Sequence, residues 1–412
     1  MVEISEKRDC CGCEACVQKC PKRCIKLNED EEGFLYPNVD TNICIECGLC
    51  EKVCPVINQE HERLPLETYA AKNIDEEIIR NSSSGGVFSA VAAKVISNNG
   101  IVFGASFNNQ WEVVHTCSET YEGCAKFRGS KYVQSRIGNS YIEVESYLKE
   151  GRQVLFSGTP CQVAGLKLYL KKDYENLLLI DFICHGVPSP GMFRWYLLEE
   201  IQKVAQMGDG KNSVSFRPIH SIPKRNVLES VENVEIEGIS FRDKTKGWKK
   251  YSFALDLAKA TADGEKNTVL LSYTLDKNPF LKGFLRDLYL RPSCYHCPTK
   301  NLKSGSDITI ADYWGINKVM PELDDDKGIN AVIINTEKGR LFFKDIEVEK
   351  VLSSFEDIQK YNAAICRSSS LPSNRSKVFS GSDGFIDRVD RLTKPGLVER
   401  LKMIIKFVIR RK

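Results

Sequence analysis

Cysteine is concentrated at the start of the chain, at spacings that can hold iron–sulfur clusters. The chain has 412 residues and 17 cysteines, ten of them within the first 54 residues. Two segments there share the pattern C-x-x-C-x-x-C-x-x-x-C-P. In this pattern three thiolates in series bind one cubane cluster, and the cysteine before the proline binds the other cluster. The pattern therefore predicts two [4Fe–4S] clusters. Their ligands would be Cys10, Cys13, Cys16 and Cys54 for one cluster, and Cys44, Cys47, Cys50 and Cys20 for the other.

Zinc is the alternative for these eight thiols, because four thiolates can hold one zinc ion. Zinc sites usually place two cysteine pairs far apart, whereas here three cysteines in series precede a Cys-Pro, so clusters are preferred. Cys11 and Cys24 are left over and are predicted to be packing residues. Residues 1–60 resemble the two-cluster ferredoxins, a small α+β fold that transfers single electrons. Within them, EEGFLYPNVD predicts a short strand pair that places Phe34 and Tyr36 on the clusters.

Four further cysteines predict a third site. Cys161, in SGTPC, and Cys184, in DFICHG, each follow an apolar segment typical of a buried parallel strand. Successive strands of a βαβ unit lie close together, so both thiols are expected at the carboxyl edge of one sheet, where such folds bind ligands. The pair Cys294 and Cys297, in RPSCYHC, would complete four ligands of a third [4Fe–4S] cluster. The alternatives are a four-cysteine zinc site, or a redox-active Cys294/Cys297 pair beside two free buried cysteines.

Two segments could bind an anion. NSSSGG, residues 81–86, precedes a predicted helix, so its backbone N–H groups and the helix dipole could face a phosphate. FRGSKYVQS adds Arg128 and Lys131 in a glycine-containing segment, which suits a pyrophosphate or an anionic ring. The alternatives are an ordinary N-cap for the first segment and a solvated loop for the second.

The elements around these residues predict an α/β fold with a mixed sheet, βαβ units and an antiparallel insertion. A polar linker is expected near residues 57–68, and the main domain over residues 69–330. Two strand–turn–helix units carry Cys161 and Cys184. The more polar segment from about residue 205 to 275 is predicted to form the antiparallel insertion. SDITIADYWGI predicts a further strand, which ends at Asp312. Residues 331–412 are predicted to be a C-terminal extension. It ends in a basic amphipathic helix, GLVERLKMIIKFVIRRK, that packs on the domain or a partner, or contacts a membrane peripherally.

Composition narrows the functional classes. The net charge is only +3, so nothing points to nucleic acid as a partner. The first residues lack the apolar core of a secretory signal, and no run of about 18 apolar residues could span a bilayer. An odd number of cysteines disfavours a disulfide scaffold, so reduced thiols in the cytoplasm are expected.

In this order, the motifs SSSGG, RGSKYVQS, GTPCQVAGL, CHGVPSP, RPSCYHC and DITIADYWGI resemble the coenzyme F-420 hydrogenase/dehydrogenase beta-subunit family, over roughly residues 1–320. The resemblance implies an iron–sulfur flavoprotein that binds FAD and a [4Fe–4S] cluster. It implies cluster ligation by the four cysteines of the third site. It implies FAD contacts at Ser83, Ser84, Gly85, Gly86, Arg128, Lys131, Thr159 and Gln162.

The expected function is an oxidoreductase that passes electrons from ferredoxin-type clusters through FAD to a two-electron acceptor, either coenzyme F-420 or another organic substrate. His185 and Asp312 are the candidates for proton delivery. The expected partners are a soluble ferredoxin or a redox partner subunit, and a small-molecule acceptor. One alternative is an electron-transfer subunit of a hydrogenase or formate dehydrogenase complex without its own substrate. The other is an electron relay without flavin.

Overall fold

The structure is a computed structural model, and it describes residues 1–206, 219–225, 227–230, 233–260 and 266–394. The predicted C-terminal amphipathic helix lies outside these residues. Among the helices that are described, none has the length and apolar character needed to cross a membrane.

Helices and strands alternate along most of the described chain. The α-helices are α1 (Ala15–Lys19), α2 (Leu49–Lys52), α3 (Glu76–Arg80), α4 (Val87–Ser97), α5 (Ser140–Lys149), α6 (Pro160–Leu170), α7 (Pro190–Gln206), α8 (Pro279–Leu285), α9 (Ile316–Val319), α10 (Glu337–Lys344), α11 (Phe355–Tyr361), α12 (Ser376–Phe379) and α13 (Phe385–Thr393). The strands are β1 (Ile25–Glu29), β2 (Leu35–Val39), β3 (Glu67–Asn73), β4 (Ile101–Phe107), β5 (Val113–Ser118), β6 (Val154–Ser157), β7 (Leu177–Phe182), β8 (Val234–Asp243), β9 (Ser252–Ala260), β10 (Lys266–Thr274), β11 (Ile308–Asp312), β12 (Asn330–Ile334) and β13 (Val348–Leu352). Short 3-10 helices lie at Lys7–Asp9, Gly123–Phe127, Val227–Ser230, Pro292–His296, Pro321–Leu323 and Ala363–Ile365.

An eight-stranded mixed sheet forms the centre of the molecule, in the order β13-β3-β12-β11-β7-β6-β4-β5. Strands β4, β6, β7 and β11 run parallel to their neighbours within this group, and β5, β12 and β13 pair antiparallel. The parallel strands β6 and β7 are buried almost throughout, because α-helices cover both faces of the sheet. The predicted α/β fold with βαβ units is confirmed, and β6 and β7 are direct neighbours.

The antiparallel insertion is also confirmed. Strands β8, β9 and β10 form a separate sheet in the order β10-β9-β8. Its central strand buries Phe253, Leu255 and Leu257 completely, in a core shared with α7 and α8.

The central sheet continues past the boundary predicted at residue 330. Strands β12 and β13 both pair with β3, which lies more than 250 residues earlier in the chain. The segment assigned to a C-terminal extension therefore supplies two strands of the sheet. Pairing over such a distance cannot be read from local patterns, and β13 is a partly exposed strand that carries the charged residues Glu349 and Lys350, as edge strands often do.

Residues 1–60 form a small module with one antiparallel pair, β1 with β2, and the short helices α1 and α2. The segment EEGFLYPNVD supplies the turn and β2 only, and β1 comes from the residues before it. Phe34 is completely buried, and both Phe34 and Tyr36 face Arg291 of the main domain, with the guanidinium 5.4 and 4.3 Å from the ring centres.

Candidate functional site

The first group of thiols, site I, consists of Cys10, Cys13, Cys16 and Cys54. The thiol of Cys16 lies within electrostatic range of those of Cys10 and Cys54, and Cys13 lies near Cys16 and Cys54. Burial raises the pKa of the Cys16 thiol. Site I packs closely against α6 at Gly165, where a β-carbon would lie 3.0 Å from Cys13 Sγ.

The second group, site II, consists of Cys20, Cys44, Cys47 and Cys50, which line a cavity of about 360 Å³. Backbone N–H groups donate to two of its sulfurs, from Val2 to Cys50 at 3.2 Å and from Glu46 to Cys44 at 3.4 Å. Cys47 is exposed at the surface. Each of the two groups contains one cysteine from the other motif, Cys54 in site I and Cys20 in site II, as the spacing predicts.

The third group, site III, consists of Cys161, Cys184, Cys294 and Cys297, which line one cavity. Cys161 lies in the first turn of α6, directly after β6, and Cys184 follows β7. Cys294 lies in the short helix Pro292–His296, and Cys297 follows it. Three segments far apart in the sequence therefore bring four thiols together at the carboxyl edge of the sheet.

Polar contacts hold the thiols of site III. The backbone N–H of Val187 donates to Cys294 Sγ at 3.4 Å, and the Thr159 hydroxyl lies 3.2 Å from Cys161 Sγ. Burial raises the pKa of Cys184 and raises that of Cys294 to about 12. Buried thiols of this kind become thiolates when a cation binds and displaces their protons.

The spacing of the thiols bears on what site III could hold. Four thiolates on one zinc ion would lie about 3.8 Å from one another, given a zinc–sulfur bond of about 2.3 Å. Over the residues that the structure describes, no three Cys, His, Asp or Glu side chains are grouped closely enough for a single metal ion. The four thiols thus line one cavity without the close grouping that a single zinc ion requires.

Cys11 and Cys24 lie closer to these sites than predicted. Cys11 lines the cavity of site III, and its thiol lies close enough to those of Cys13 and Cys161 to affect its pKa. Cys24 lines the cavity of site II, with its sulfur 3.3 Å from Cys20 Sγ. Both are buried, as packing residues are, but each also contacts a candidate ligand. For Cys11 the Cys-Cys doublet is the only sequence signal.

The two predicted anion-binding segments meet at the start of α4. The Ser83 hydroxyl accepts hydrogen bonds from the backbone N–H of Ser130, at 2.6 Å, and from its hydroxyl, at 2.9 Å. Arg128 Nε donates to Ser89 Oγ at 3.1 Å. Residues 128–135 then run from this loop to α6, where Ser135 bonds to Gln162.

Lys131 lies in the same segment, with its side chain turned back on the backbone. Its ammonium donates to the carbonyl groups of Lys126, Arg128 and Gly129, at 3.0, 3.0 and 3.2 Å. Burial lowers the pKa of Lys131 to about 7. These three carbonyl groups accept the hydrogen bonds of the Lys131 ammonium. Lys131 could therefore contact an anion only if its side chain turned outward.

Close backbone packing holds the serine–glycine loop. A β-carbon at Gly85 would lie 2.8 Å from the carbonyl oxygen of Ala71 and 3.0 Å from the amide nitrogen of Asn330. The Ser84 hydroxyl is buried and donates to the carbonyl of Ile329 at 2.8 Å. Gly86 is the N-cap of α4. The loop is thus fixed against β3 and β12 at the same sheet edge as site III.

Thr159 and Gln162 contact protein groups. The Thr159 hydroxyl accepts from the N–H of Gln162, and Gln162 Oε1 accepts from the N–H of Thr159, which together form a capping box at the start of α6. Gln162 Nε2 donates to Ser135 Oγ at 2.9 Å. Both side chains therefore hold the turn that carries Cys161, and their contact with FAD stays a prediction.

The two candidates for proton delivery have different surroundings. His185 lines the cavity of site III, and its Nε2 lies 2.6 Å from Asp287 Oδ1. Asp312 accepts from Arg242 Nη1 through one oxygen and from Trp248 Nε1, at 3.0 Å, through the other. Since both carboxylate oxygens of Asp312 already accept hydrogen bonds, its geometry favours a role in orienting Arg242 over a role in proton delivery.

Arg242, on β8, is a candidate that the sequence did not indicate. Its side chain is 2% exposed, and its guanidinium lies 4.4 Å from the ring centre of Tyr251 and 5.5 Å from that of Trp314. In the described part of the chain, its Nε and Nη2 have no hydrogen-bond acceptor. A buried guanidinium with two unused donors is suited to an anionic group. Its position depends on Asp312, which comes 70 residues later, so no local motif marks it.

Comparisons with known proteins agree with these features. Residues 151–360, about half of the chain, match the family described as the C terminus of the beta subunit of coenzyme F420 hydrogenase/dehydrogenase. Residues 9–58 match the 4Fe-4S dicluster domain.

Individual proteins are similar to this chain over part of its length. One subunit of the F(420)H(2) dehydrogenase of Methanosarcina mazei is 24% identical over 257 residues, which cover 57% of this chain and 72% of the relative. The protein called ferredoxin 7Fe of Hydrogenibacillus schlegelii is 42% identical over 64 residues, 15% of this chain and 76% of that protein. A chain in the structure of the F420-reducing [NiFe] hydrogenase complex from Methanosarcina barkeri aligns with a TM-score of 0.42 and 18% identity, over 74% of this chain and 90% of that one.

The resemblance inferred from the ordered motifs is thereby confirmed, and so is the dicluster segment. The chain belongs to the coenzyme F420 hydrogenase/dehydrogenase beta-subunit family of oxidoreductases, and residues 9–58 form its 4Fe–4S dicluster domain.

Proposed function

We propose that this protein passes electrons from the two clusters of its ferredoxin module, through a third cluster at site III and a bound FAD, to a two-electron acceptor. The observation that carries the proposal is the position of Cys11. This residue belongs to the first cysteine motif, yet it lines the cavity of site III, where its thiol lies near that of Cys161. Sites I and III are therefore neighbours within one folded molecule, which is what electron transfer between them requires.

The donor atoms fit iron–sulfur clusters at all three sites. Each site gathers four cysteine sulfurs, the ligand set of a [4Fe–4S] cluster. Backbone N–H groups donate to sulfurs of sites II and III, as is common around clusters, where such bonds tune the potential.

The carboxyl edge of the sheet also fits an anionic cofactor such as FAD. The serine–glycine loop lies at the N-terminus of α4, whose helix dipole favours a pyrophosphate, although the N–H of Val87 there already donates to Asn330 Oδ1 at 3.2 Å. The unused donors of Arg242 lie beside Tyr251 and Trp314, and Tyr132 stacks on Phe284 with ring centres 4.8 Å apart. We therefore assign Arg242 to the flavin or to the acceptor stacked on it.

Bound FAD would supply the conversion between single-electron carriers and a two-electron acceptor. The chain itself would position the reactants and hold a proton near site III. His185 is suited to that role because Asp287 accepts from its ring and fixes its orientation, while 41% of its side chain remains exposed to solvent.

The first test is the cofactor content of protein purified without oxygen. Three clusters predict about 12 iron atoms per chain, together with flavin bands in the visible spectrum and FAD released by denaturation. If about eight iron atoms and one zinc ion are found per chain, site III holds zinc and not a third cluster. If no flavin is found, the protein is only an electron relay. Reduction followed by mixing with coenzyme F-420 and other two-electron acceptors then identifies what reoxidises the protein.

A second candidate function is an electron-transfer subunit without its own substrate. The Methanosarcina mazei relative favours it, because its name describes a subunit of a dehydrogenase. This candidate predicts that the reduced, flavin-containing protein is reoxidised by no small acceptor alone and only by a partner protein. Rapid reoxidation by an organic acceptor in the absence of other proteins would exclude it.

A further inference from the structure

Arg291 connects the segment of site III with site I. It is completely buried. Its backbone N–H donates to the carbonyl of Val187 at 2.9 Å, and its own carbonyl accepts from the N–H of Cys294 at 2.8 Å. Its side chain reaches the first cysteine motif, where Nε donates to the carbonyl of Cys10 at 2.6 Å and Nη2 lies 3.3 Å from Cys10 Sγ.

The remaining partners of this guanidinium are mostly neutral. Nη1 donates to Gln134 Oε1 at 2.9 Å, and Nη2 donates to the carbonyl of Leu35 at 2.9 Å. The rings of Tyr36 and Phe34 cover it. One buried carboxyl group, that of Glu14, lies within electrostatic range, but it accepts from the N–H groups of Ile137 and Gly138 instead.

The charge of Arg291 has a definite effect on a cluster at site I. Reduction adds one negative charge, which burial away from water disfavours and a nearby positive charge favours. Hydrogen bonds to ligand sulfurs act in the same direction. Arg291 supplies both at Cys10, whereas the bonds to Cys44 and Cys50 in site II come from neutral backbone groups, and Cys47 there is exposed. The ammonium of Met1 lies near Cys44 and Cys50, but it is exposed to solvent and paired with Glu51 at 3.3 Å, so its effect is screened.

We propose that Arg291 is a positioning residue that raises the reduction potential of the cluster at site I and thereby directs electrons inward from site II. In this step the cluster at site II loses one electron and the cluster at site I gains it, with no proton or further reactant involved. The inference rests on the proposed ligation of clusters at sites I and II.

The experiment is a redox titration of the full chain in which the EPR signals of the reduced clusters are measured at each potential. The signal of site I is identified by its loss in Cys16→Ala. Arg291→Gln removes the charge, and we expect it to lower the midpoint potential of that signal. Arg291→Lys keeps the charge without the planar fork, and we expect a smaller decrease.

Two further variants control for folding. Arg194→Gln removes another buried arginine that joins the module to the main domain, through Glu29, and should leave the midpoint of site I unchanged. Gln134→Glu places a carboxylate on Arg291 Nη1 with nearly the same shape, so it should lower the midpoint even if Arg291→Gln fails to fold.

The outcomes separate this inference from the proposed function. A wild-type protein without iron would overturn both. If wild type and variants hold the clusters, but neither Arg291→Gln nor Gln134→Glu lowers the midpoint of site I, the role of Arg291 is wrong and the proposed ligation stands. An equal decrease of the site I midpoint potential in Arg194→Gln would also overturn the role of Arg291, because a loosened interface between module and main domain would then explain the change.

Discussion

His115 shows how single buried side chains hold the strand ends near the site. Its ring stacks on Phe156, with centres 5.3 Å apart. Its Nε2 lies 3.0 Å from the carbonyl of Ser157, and its Nδ1 lies 3.1 Å from Ser135 Oγ. Because a carbonyl only accepts, Nε2 must carry the proton, and Nδ1 then accepts from the serine hydroxyl. The neutral ring thus ties the end of β6 to the segment that contacts Gln162.

This arrangement predicts a loss of stability in mild acid. Burial lowers the pKa of His115 from 6.5 to about 4, so the unfolded chain takes up the proton first as the pH falls. Stability is then full above about pH 6.5 and decreases toward pH 4, by about 1 kcal/mol between pH 7.5 and pH 5.5. Thermal midpoints of wild type and His115→Phe, measured without oxygen at both pH values, test this.

We expect a smaller pH effect in His115→Phe than in wild type, although the variant is less stable at both pH values because two hydrogen bonds are lost. His61→Phe, at an exposed histidine, is the control and should behave as wild type. An equal pH effect in wild type and in His115→Phe would contradict the assignment.

At the scale of single elements, α6 depends on its first turn. Thr159 is its N-cap and forms the capping box with Gln162, and Pro160 occupies the first helical position. Thr159→Val keeps the shape of the side chain but removes the capping oxygen. We expect it to lower stability by about 1 kcal/mol, measured as a lower thermal midpoint. Thr159→Ser retains the oxygen and should stay near wild type, and an equal decrease in both variants would argue against a capping role.

The elements that carry the cysteines could be predicted because their signals are local. Uninterrupted apolar segments mark β6 and β7, and the right-handed crossover between them makes them neighbours, so that Cys161 and Cys184 had to lie at one edge. The pairing of β12 and β13 with β3 is a long-range property without a local pattern. The same holds for Arg242, whose burial depends on aromatic residues from several segments.

The roles of Thr159 and Gln162 show a second limit of the sequence. The motif GTPCQ marks a special turn, but the sequence alone cannot tell whether its polar side chains contact a ligand or hold the turn. In the structure each bonds to the other's backbone, and the resulting cap fixes the position of Cys161.

At the scale of the whole molecule, ion pairs fasten the ferredoxin module to the main domain. Arg375 forms a two-pronged contact with Glu32, at 2.8 and 2.5 Å, and both side chains are only 12% exposed. Arg375 also donates to the hydroxyl of Tyr295, which lies between Cys294 and Cys297 in the sequence. This contact links the β1–β2 turn of the module with the segment of site III.

Loss of this contact should loosen the module. Arg375→Met leaves the buried carboxylate of Glu32 without its partner, at a cost of about 3 kcal/mol. We expect faster backbone hydrogen exchange in residues 25–39 and unchanged exchange in the central sheet, both measured by mass spectrometry. Arg340→Met removes an exposed pair with Glu337 and serves as the control. Unchanged exchange in the hairpin of Arg375→Met would show that other contacts suffice.

The exposure of the cysteines indicates where electrons would enter under the proposed function. The cysteines of site III are only partly exposed, whereas at site II Cys47 is exposed and the neighbouring Ile43 and Ile45 are 48% and 57% exposed. A protein partner that docks there would cover these apolar side chains, which stabilises the complex, and would come closest to site II. Electrons from a soluble ferredoxin would then pass from site II to site I and on to site III.

Ile45→Ser tests this direction. It removes apolar surface from the docking face but leaves all candidate ligands in place, so reduction by a reduced two-cluster ferredoxin should slow several-fold. Reduction by dithionite, which needs no docking surface, should keep its rate. Leu352→Ser, at an exposed leucine on the edge strand β13, is the matched control. If stopped-flow traces show equal rates for Ile45→Ser and wild type with ferredoxin, electrons enter elsewhere, and the order of the three sites along the path must be reconsidered.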